Sequence, residues 1–296
     1  MSHAISLSRA IDHLVLPVID LDTARHRLTQ LGFTVAADAR HPFGTENACV
    51  FFADDTYLEP LAVGSREDCL EAARAGNVFV ARDQAFRFRR GEGLSAVVVK
   101  TEDAEADHAR FVAAGLSAGE MLRFSREFRF PDGRVAEGSF RLAFAGDLRS
   151  PDFFAFSCER VNAFPADRGA LLVHANAASG LSRVVLSEDN PSDFHEILEI
   201  VLNQRDVVAH SFGLTIETVN VKVDVLTPEG LRAHYGLAPR GTERGLMGAA
   251  VVFASRDLGV TAACLAGNGI AYQTVGARLV VPPQPGQGLG FAFEEL

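Results

Sequence analysis

Ala10-Ile11-Asp12-His13-Leu14-Val15-Leu16, a short β-rich run, leads through Asp20 into a segment that carries Leu21, Ala24, Leu28 and Leu31. The spacing of 3, 4 and 3 residues puts these four on one helical face. Asp20 stands where an N-cap side chain accepts an orphan backbone N–H. The same succession recurs three times. Leu94-Ser95-Ala96-Val97-Val98-Val99 leads to Asp103 and a helix to about Ala114, and Leu181-Ser182-Arg183-Val184-Val185-Leu186 leads to Asp189/Asn190 and a helix to about Leu202. Met247-Gly248-Ala249-Ala250-Val251-Val252-Phe253 leads to Asp257 and a helix to about Ala266. Gly32, Gly115 and Gly269 follow three of these helices where a left-handed C-cap falls.

Short strands are expected after each helix. In the second unit they form a hairpin around Pro131-Asp132-Gly133, with Leu122, Phe124, Phe128 and Phe130 on one face and Arg123, Ser125, Glu127 and Arg129 on the other. The return strand answers with Ala136, Gly138, Phe140, Leu142 and Phe144. Each unit therefore reads βαβββ, and the chain is an α+β protein of four such units in tandem. The expected division is a first pair of units over 1–165, with a helical insert at about 64–91, and a second pair over 166–296.

Composition narrows the function. Of 296 residues 48% are hydrophobic and 22% charged, which is ordinary globular usage and sets disorder aside. Lys+Arg 28 against Asp+Glu 38 gives a net charge of −10, and the densest basic stretch, Arg82 to Arg90, also contains Asp83. A nucleic-acid partner needs a clustered basic face and is not expected. Cys49, Cys69, Cys158 and Cys264 lie far apart with no CxxC pair, so neither a disulfide framework nor a thiolate zinc site is expected. No apolar run approaches the roughly 18 residues of a membrane span, and residues 1–10 lack an apolar signal core. The expectation is a cytoplasmic protein, monomeric or homodimeric. GxGxxG after the first strand, GxxxxGK[ST], GxSxG and HExxH are all missing, so no organic cofactor or familiar serine nucleophile is expected.

The tandem βαβββ pattern resembles the vicinal oxygen chelate superfamily, which includes glyoxalase I, extradiol dioxygenases and bleomycin-resistance proteins. Ile11-Asp12-His13-Leu14-Val15-Leu16-Pro17-Val18 with Asp20-Leu21-Asp22 resembles the opening of its glyoxalase-like domain. So do Leu31-Gly32-Phe33-Thr34-Val35, His41-Pro42-Phe43-Gly44-Thr45-Glu46-Asn47, Tyr57-Leu58-Glu59-Pro60 and His174-Ala175-Asn176-Ala177. The resemblance implies half-open curled sheets that hold a divalent metal on the concave face. Its ligands come from the first and last strands of each unit, which here match His13 and Glu59.

An imidazole and a carboxylate suit a borderline divalent ion such as Zn, Ni, Fe or Mn. Strand alternation places His13 with Ile11 and Val15, opposite Leu14 and Leu16, and places Glu59 with Tyr57 and Leu61. The other units carry Ala96, Arg183 and Ala249 at the place of His13. At the place of Glu59 they offer residues near Phe156, Val223 and Phe293, with Glu294 a further match. His41 and His174 are the candidates for a third ligand. The alternative for His174 and Asn176 is to brace the connection between the halves.

Arg126, between Phe124 and Phe128 on an apolar face, either holds a substrate carboxylate, pairs with Glu59, or serves a structural ion pair at the sheet rim. Thr45 and Asn47 are candidate cleft hydrogen-bond donors. Tyr57 offers a phenol or packing. Three readings of function follow. The first is a metal-dependent lyase or isomerase, ahead of a ring-cleaving dioxygenase, acting on a small molecule chelated through its oxygens, with Glu59 available as the proton-transferring base. The second is a metal-free small-molecule binding or sequestering protein of the same fold. The third is a structural role in which His13 and Glu59 form a buried pair.

Overall fold

The computed structural model describes residues 8–129, 135–162, 168–241 and 243–295. The first unit comprises β1 (Ile11–Pro17), α1 (Leu21–Gln30), the short strands β2 (Ala39–Arg40), β3 (Thr45–Asn47) and β4 (Val50–Phe51), and β5 (Tyr57–Val63). Two helices, α2 (Arg66–Arg74) and α3 (Val78–Arg90), fill the expected insert. The second unit follows with β6 (Ala96–Thr101), α4 (Ala104–Ala113), β7 (Leu122–Arg129), β8 (Val135–Ala145) and β9 (Phe154–Arg160). The third has β10 (Ala178–Ser187), α5 (His195–Leu202), β11 (Val207–His210), β12 (Gly213–Glu217) and β13 (Lys222–Leu226), then α6 (Pro228–Tyr235). The fourth has β14 (Met247–Ser255), α7 (Leu258–Gly267), β15 (Gln273–Val275), β16 (Arg278–Val281) and β17 (Gly290–Glu295).

The strands form two sheets of one design. The first runs β2-β3-β5-β1-β6-β9-β8-β7, with β4 also on β5, and the second β11-β12-β13-β10-β14-β17-β16-β15. In each, the first strands of two units lie antiparallel at the centre, β1 on β6 and β10 on β14. Each first strand is parallel to the last strand of its own unit. Among the described residues no helix is long and apolar enough to cross a membrane.

Local chemistry sets the helix ends. Asp20, Asp103 and Asp257 accept from the backbone N–H of Thr23, Ala106 and Val260, as their positions predict. The third unit differs. Neither Asp189 nor Asn190 caps α5, because Pro191–Phe194 first forms a 3-10 turn and the helix begins at His195 without a side-chain cap. In the second unit the register Leu122↔Leu142, Phe124↔Phe140 and Arg126↔Gly138 is the one the alternation predicts. The turn at Pro131-Asp132-Gly133, together with Phe130, lies outside the described residues.

One expectation fails in β1. The β1–β6 register shifts between Ile11 and His13, which marks a bulge at Asp12. The extra residue turns Ile11 to the side of Leu14 and Leu16, in the large core, and leaves Val15 in the smaller core beneath the concave face. Ile11 therefore does not share a face with His13.

The large core joins the two sheets. Phe33 stands at its centre, with ring centroids 4.9 Å from Phe253, 6.0 Å from Phe293 and 6.0 Å from Phe52. Polar clasps surround it. Asn220 brackets the backbone of Ile11, accepting from its N–H at 3.0 Å and donating to its carbonyl at 2.8 Å.

Candidate active site

The curled first sheet and α3 enclose a narrow cleft of about 40 Å³. Phe43, Phe79, Phe124, Phe140 and Phe156 supply most of its wall, and the polar groups reaching it are His13, His41, Tyr57, Glu59 and Arg126. β1 delivers His13 and β5 delivers Glu59, since Val15 pairs with Glu59 across the two parallel strands and His13 lies two residues before Val15. His13 Nε2 lies 3.5 Å from one Glu59 oxygen, and His41 Nε2, from the turn before β3, lies 3.7 Å from the other. Asn47 donates to Glu59 at 2.5 Å.

Each imidazole is held from behind. Asp12 Oδ2 contacts His13 Nδ1 at 2.7 Å, and Arg160 grips both Asp12 oxygens at 2.9 and 2.7 Å. Tyr57 stacks on the His13 ring at 4.3 Å between centroids, with Phe156 edge-on to it. His41 Nδ1 meets Thr45 Oγ1 at 2.9 Å, and the ring stacks on Phe43. Asp12 and Arg160 escape a reading of the sequence. Neighbours in a regular strand face opposite ways, so only the bulge brings Asp12 to His13, and Arg160 is 148 residues away.

These contacts set the charges. Burial opposes the Glu59 carboxylate, yet hydrogen bonding and charge from His13, with His41 and Asn47 adding, hold it down at about 2. Burial likewise opposes a charged His13, and hydrogen bonds to Asp12 and Glu59 outweigh it, raising the imidazole above its usual 6.5. His41 goes the other way. Burial takes it down to about 4 despite Glu59, and the Arg126 guanidinium adds to the fall. At neutral pH the cleft thus presents a carboxylate, a cationic or hydrogen-bonded His13, and a neutral His41.

The sequence candidates separate into groups. His13, His41, Tyr57, Glu59 and Arg126 meet in the cleft. Thr45 and Asn47 stand behind it and hold His41 and Glu59. His174 and Asn176 do not reach it. His174 Nδ1 accepts from the Thr34 N–H at 3.0 Å and Nε2 meets the Phe51 carbonyl at 3.0 Å, so both ring nitrogens are committed to the joint between the halves. Asn176 donates to the Leu31 carbonyl and accepts from the Ala178 N–H. The bracing alternative describes both residues.

The strand registers also correct the comparison of units. Val98↔Phe156 and Val15↔Glu59 are corresponding pairs, so Ala96 and Phe156 stand at the places of His13 and Glu59 in the second unit. In the third unit the place of Glu59 belongs to Asp224, opposite Val185, and not to Val223. In the fourth it belongs to Ala292, opposite Val252, with Ala250 in place of Ala249. Phe293 and Glu294 are displaced from it by one and two residues.

A divalent ion would have His13, Glu59 and His41 as its donors. Among the described residues no three such side chains are already closed around a common point. Two imidazole nitrogens and a carboxylate are nevertheless donors that suit a borderline divalent ion, and each nitrogen lies near one Glu59 oxygen, at 3.5 and 3.7 Å. The Asp12 carboxylate behind His13 is the backing that metal-bound histidines use to fix ring and tautomer. The donor set fits such an ion once His13 gives up its proton.

The Glyoxalase-like domain model matches residues 11–202. The chain belongs to this glyoxalase-like family, within the vicinal oxygen chelate superfamily. The glyoxalase-like chain is similar in fold to a hypothetical protein from Staphylococcus aureus, at a TM-score of 0.65 and 13% identity over 97% of this chain and 99% of that one. It also resembles a triple mutant of 4-hydroxymandelate synthase from Streptomyces coelicolor, at 0.61 and 13% identity over 98% and 93%. A third relative in structure is the Mn(II)-bound glyoxalase from Novosphingobium aromaticivorans, at 0.54 and 13% identity over 98% and 83%. No curated protein matches the sequence. At such identities these likenesses speak for the fold alone.

Proposed function

We propose that the chain is a metal-dependent enzyme of lyase or isomerase type, acting on a small oxygen-bearing molecule in the first-sheet cleft. The observation that carries this is the approach of two braced imidazoles, His13 and His41, to the two oxygens of Glu59 inside an aromatic cleft. A divalent ion (Zn, Ni, Fe or Mn) held by these three residues would supply Lewis acidity toward neighbouring substrate oxygens. Glu59, loosely ligated, presents the proton acceptor to the substrate. Arg126 supplies positive charge for a carboxylate or a developing enolate, and the phenyl walls exclude water. Tyr57 and Phe156 keep the His13 ring in place. Asn176 and His174 are left out of the site.

The test is metal content of untagged protein, in wild type and in His13→Ala, His41→Ala and His174→Ala. Near-stoichiometric metal that is lost in the first two variants and kept in the third supports the proposal. Wild type that takes up no zinc, nickel, iron or manganese on incubation sinks it.

A second reading rests on Phe156 and Ala96, which replace the second unit's share of a four-ligand set. A metal-free binding or sequestering protein needs only the aromatic cleft with Arg126 and Glu59. Ligand-dependent rises in melting temperature without bound metal would select it. Two histidines with one carboxylate are also the set of non-haem iron oxygenases, and iron with oxygen uptake would select a ring-cleaving dioxygenase. The free cysteines Cys49, Cys69, Cys158 and Cys264 support a reducing, cytoplasmic setting for any of these.

A further inference from the structure

The second sheet repeats the site's geometry with different chemistry. Arg183 and Asp224 occupy the places of His13 and Glu59, and their side chains meet at 3.1 Å. The bulge recurs as well, between Leu181 and Arg183, so that Ser182 stands where Asp12 does. Thr215 donates to Asp224 at 2.6 Å, as Asn47 does to Glu59. Over this floor lies an open cleft of about 440 Å³, several times larger than the first, walled by Tyr235 from α6 and Arg278 from β16 and rimmed by His210 and His234.

The two arginines are anchored but not used up. Arg183 spends Nη1 on Asp224 and Nε on Glu294, and Arg278 spends Nε on Glu294 at 2.7 Å. Arg183 Nη2, both terminal nitrogens of Arg278 and the Tyr235 hydroxyl make no hydrogen bond among the described residues. Glu294 sits between the two guanidinium groups and fixes their separation. Their side chains are 23% and 21% exposed, held in the wall instead of waving in solvent.

We propose that this cleft is a second ligand site, for a small oxyanion: a molecule carrying a carboxylate or phosphate group. Planar N–H forks and a phenolic O–H are the donors that such a group needs. Asp224 and Glu294 neutralise the arginines, so net charge alone does not hold the ligand. Recognition rests on the direction of the free donors, and a hydrated halide gains little there. The site does not depend on metal in the first cleft.

The test is calorimetric titration of the full chain with inorganic phosphate and, separately, malonate at constant ionic strength. Saturable one-to-one binding of either probe is expected in wild type and in His13→Ala. It should weaken by about tenfold or more in Arg278→Gln and in Tyr235→Phe, the second of which keeps the packed ring. Phosphate alone or malonate alone identifies which oxyanion the cleft takes. Heats that never saturate, binding unchanged in both second-sheet variants, or binding lost in His13→Ala would overturn the proposal.

Discussion

The carboxylate of Asp12 meets the imidazole of His13, its neighbour in the same strand, Oδ2 to Nδ1 at 2.7 Å. A regular strand would send the two to opposite faces, and the bulge between Ile11 and His13 folds them onto one. The candidate site therefore owes the orientation of its first histidine to one irregular residue.

Asp12→Asn keeps the shape and removes the charge that favours a protonated His13. In chelator-treated protein the His13 titration, followed by NMR of the ring, should move to lower pH. Asp12→Ala should cost about 3 kcal/mol in urea unfolding, because Asp12 is fully buried beneath Arg160. An unmoved titration would show that Asp12 does not govern His13.

His174 supplies a pH dependence away from the cleft. Burial holds its pKa below 6.5 in the fold, only partly offset by the Phe51 carbonyl, and its Nδ1 must stay unprotonated to accept from Thr34. The unfolded chain takes up this proton as pH falls through 6.5 and the folded chain does not. Stability is thus full above 6.5 and declines below it. Urea midpoints at pH about 7.5 and about 5.5 should differ less in His174→Gln than in wild type.

Gly32 and Gly115 end two helices with φ of 88° and 69°, but only the first meets the other half of the chain. A methyl group at Gly32 would lie 2.6 Å from Cys264 Sγ and 2.9 Å from Asn176 Cβ, while one at Gly115 meets nothing within 4 Å. Gly115→Ala should cost about 1 kcal/mol, the backbone term alone, and Gly32→Ala clearly more. Equal losses in thermal unfolding would contradict a tight joint at α1 and α7.

Phe33→Ala should destabilise by about 3–5 kcal/mol, since the ring is buried and its loss leaves a cavity. Its partners Phe52, Phe253, Phe291 and Phe293 come from both halves of the chain. Chemical denaturation should show the loss in a probe placed in either half. A loss confined to the first half would mean that the sheets unfold independently.

The repeat from Ile11, with its Asp caps and terminal glycines, was enough to establish four units and their helices, because helix caps and side-chain periodicity are local properties, whereas the curled sheets followed from family resemblance. Pairing His13 with Glu59 followed from family resemblance. Choosing His41 over His174 did not, since both are histidines in irregular segments and only the packed chain shows that Thr34 and Phe51 claim both nitrogens of His174. Asp12 was hidden because a bulge breaks the two-residue period on which strand reading depends. Asp224 was hidden because its place is defined by register against Val185, a relationship between strands about forty residues apart. Sequence determined the units and their order through local backbone preference. Tertiary structure decided which polar side chains share a cleft, because shared burial depends on register and on the packing of one half against the other.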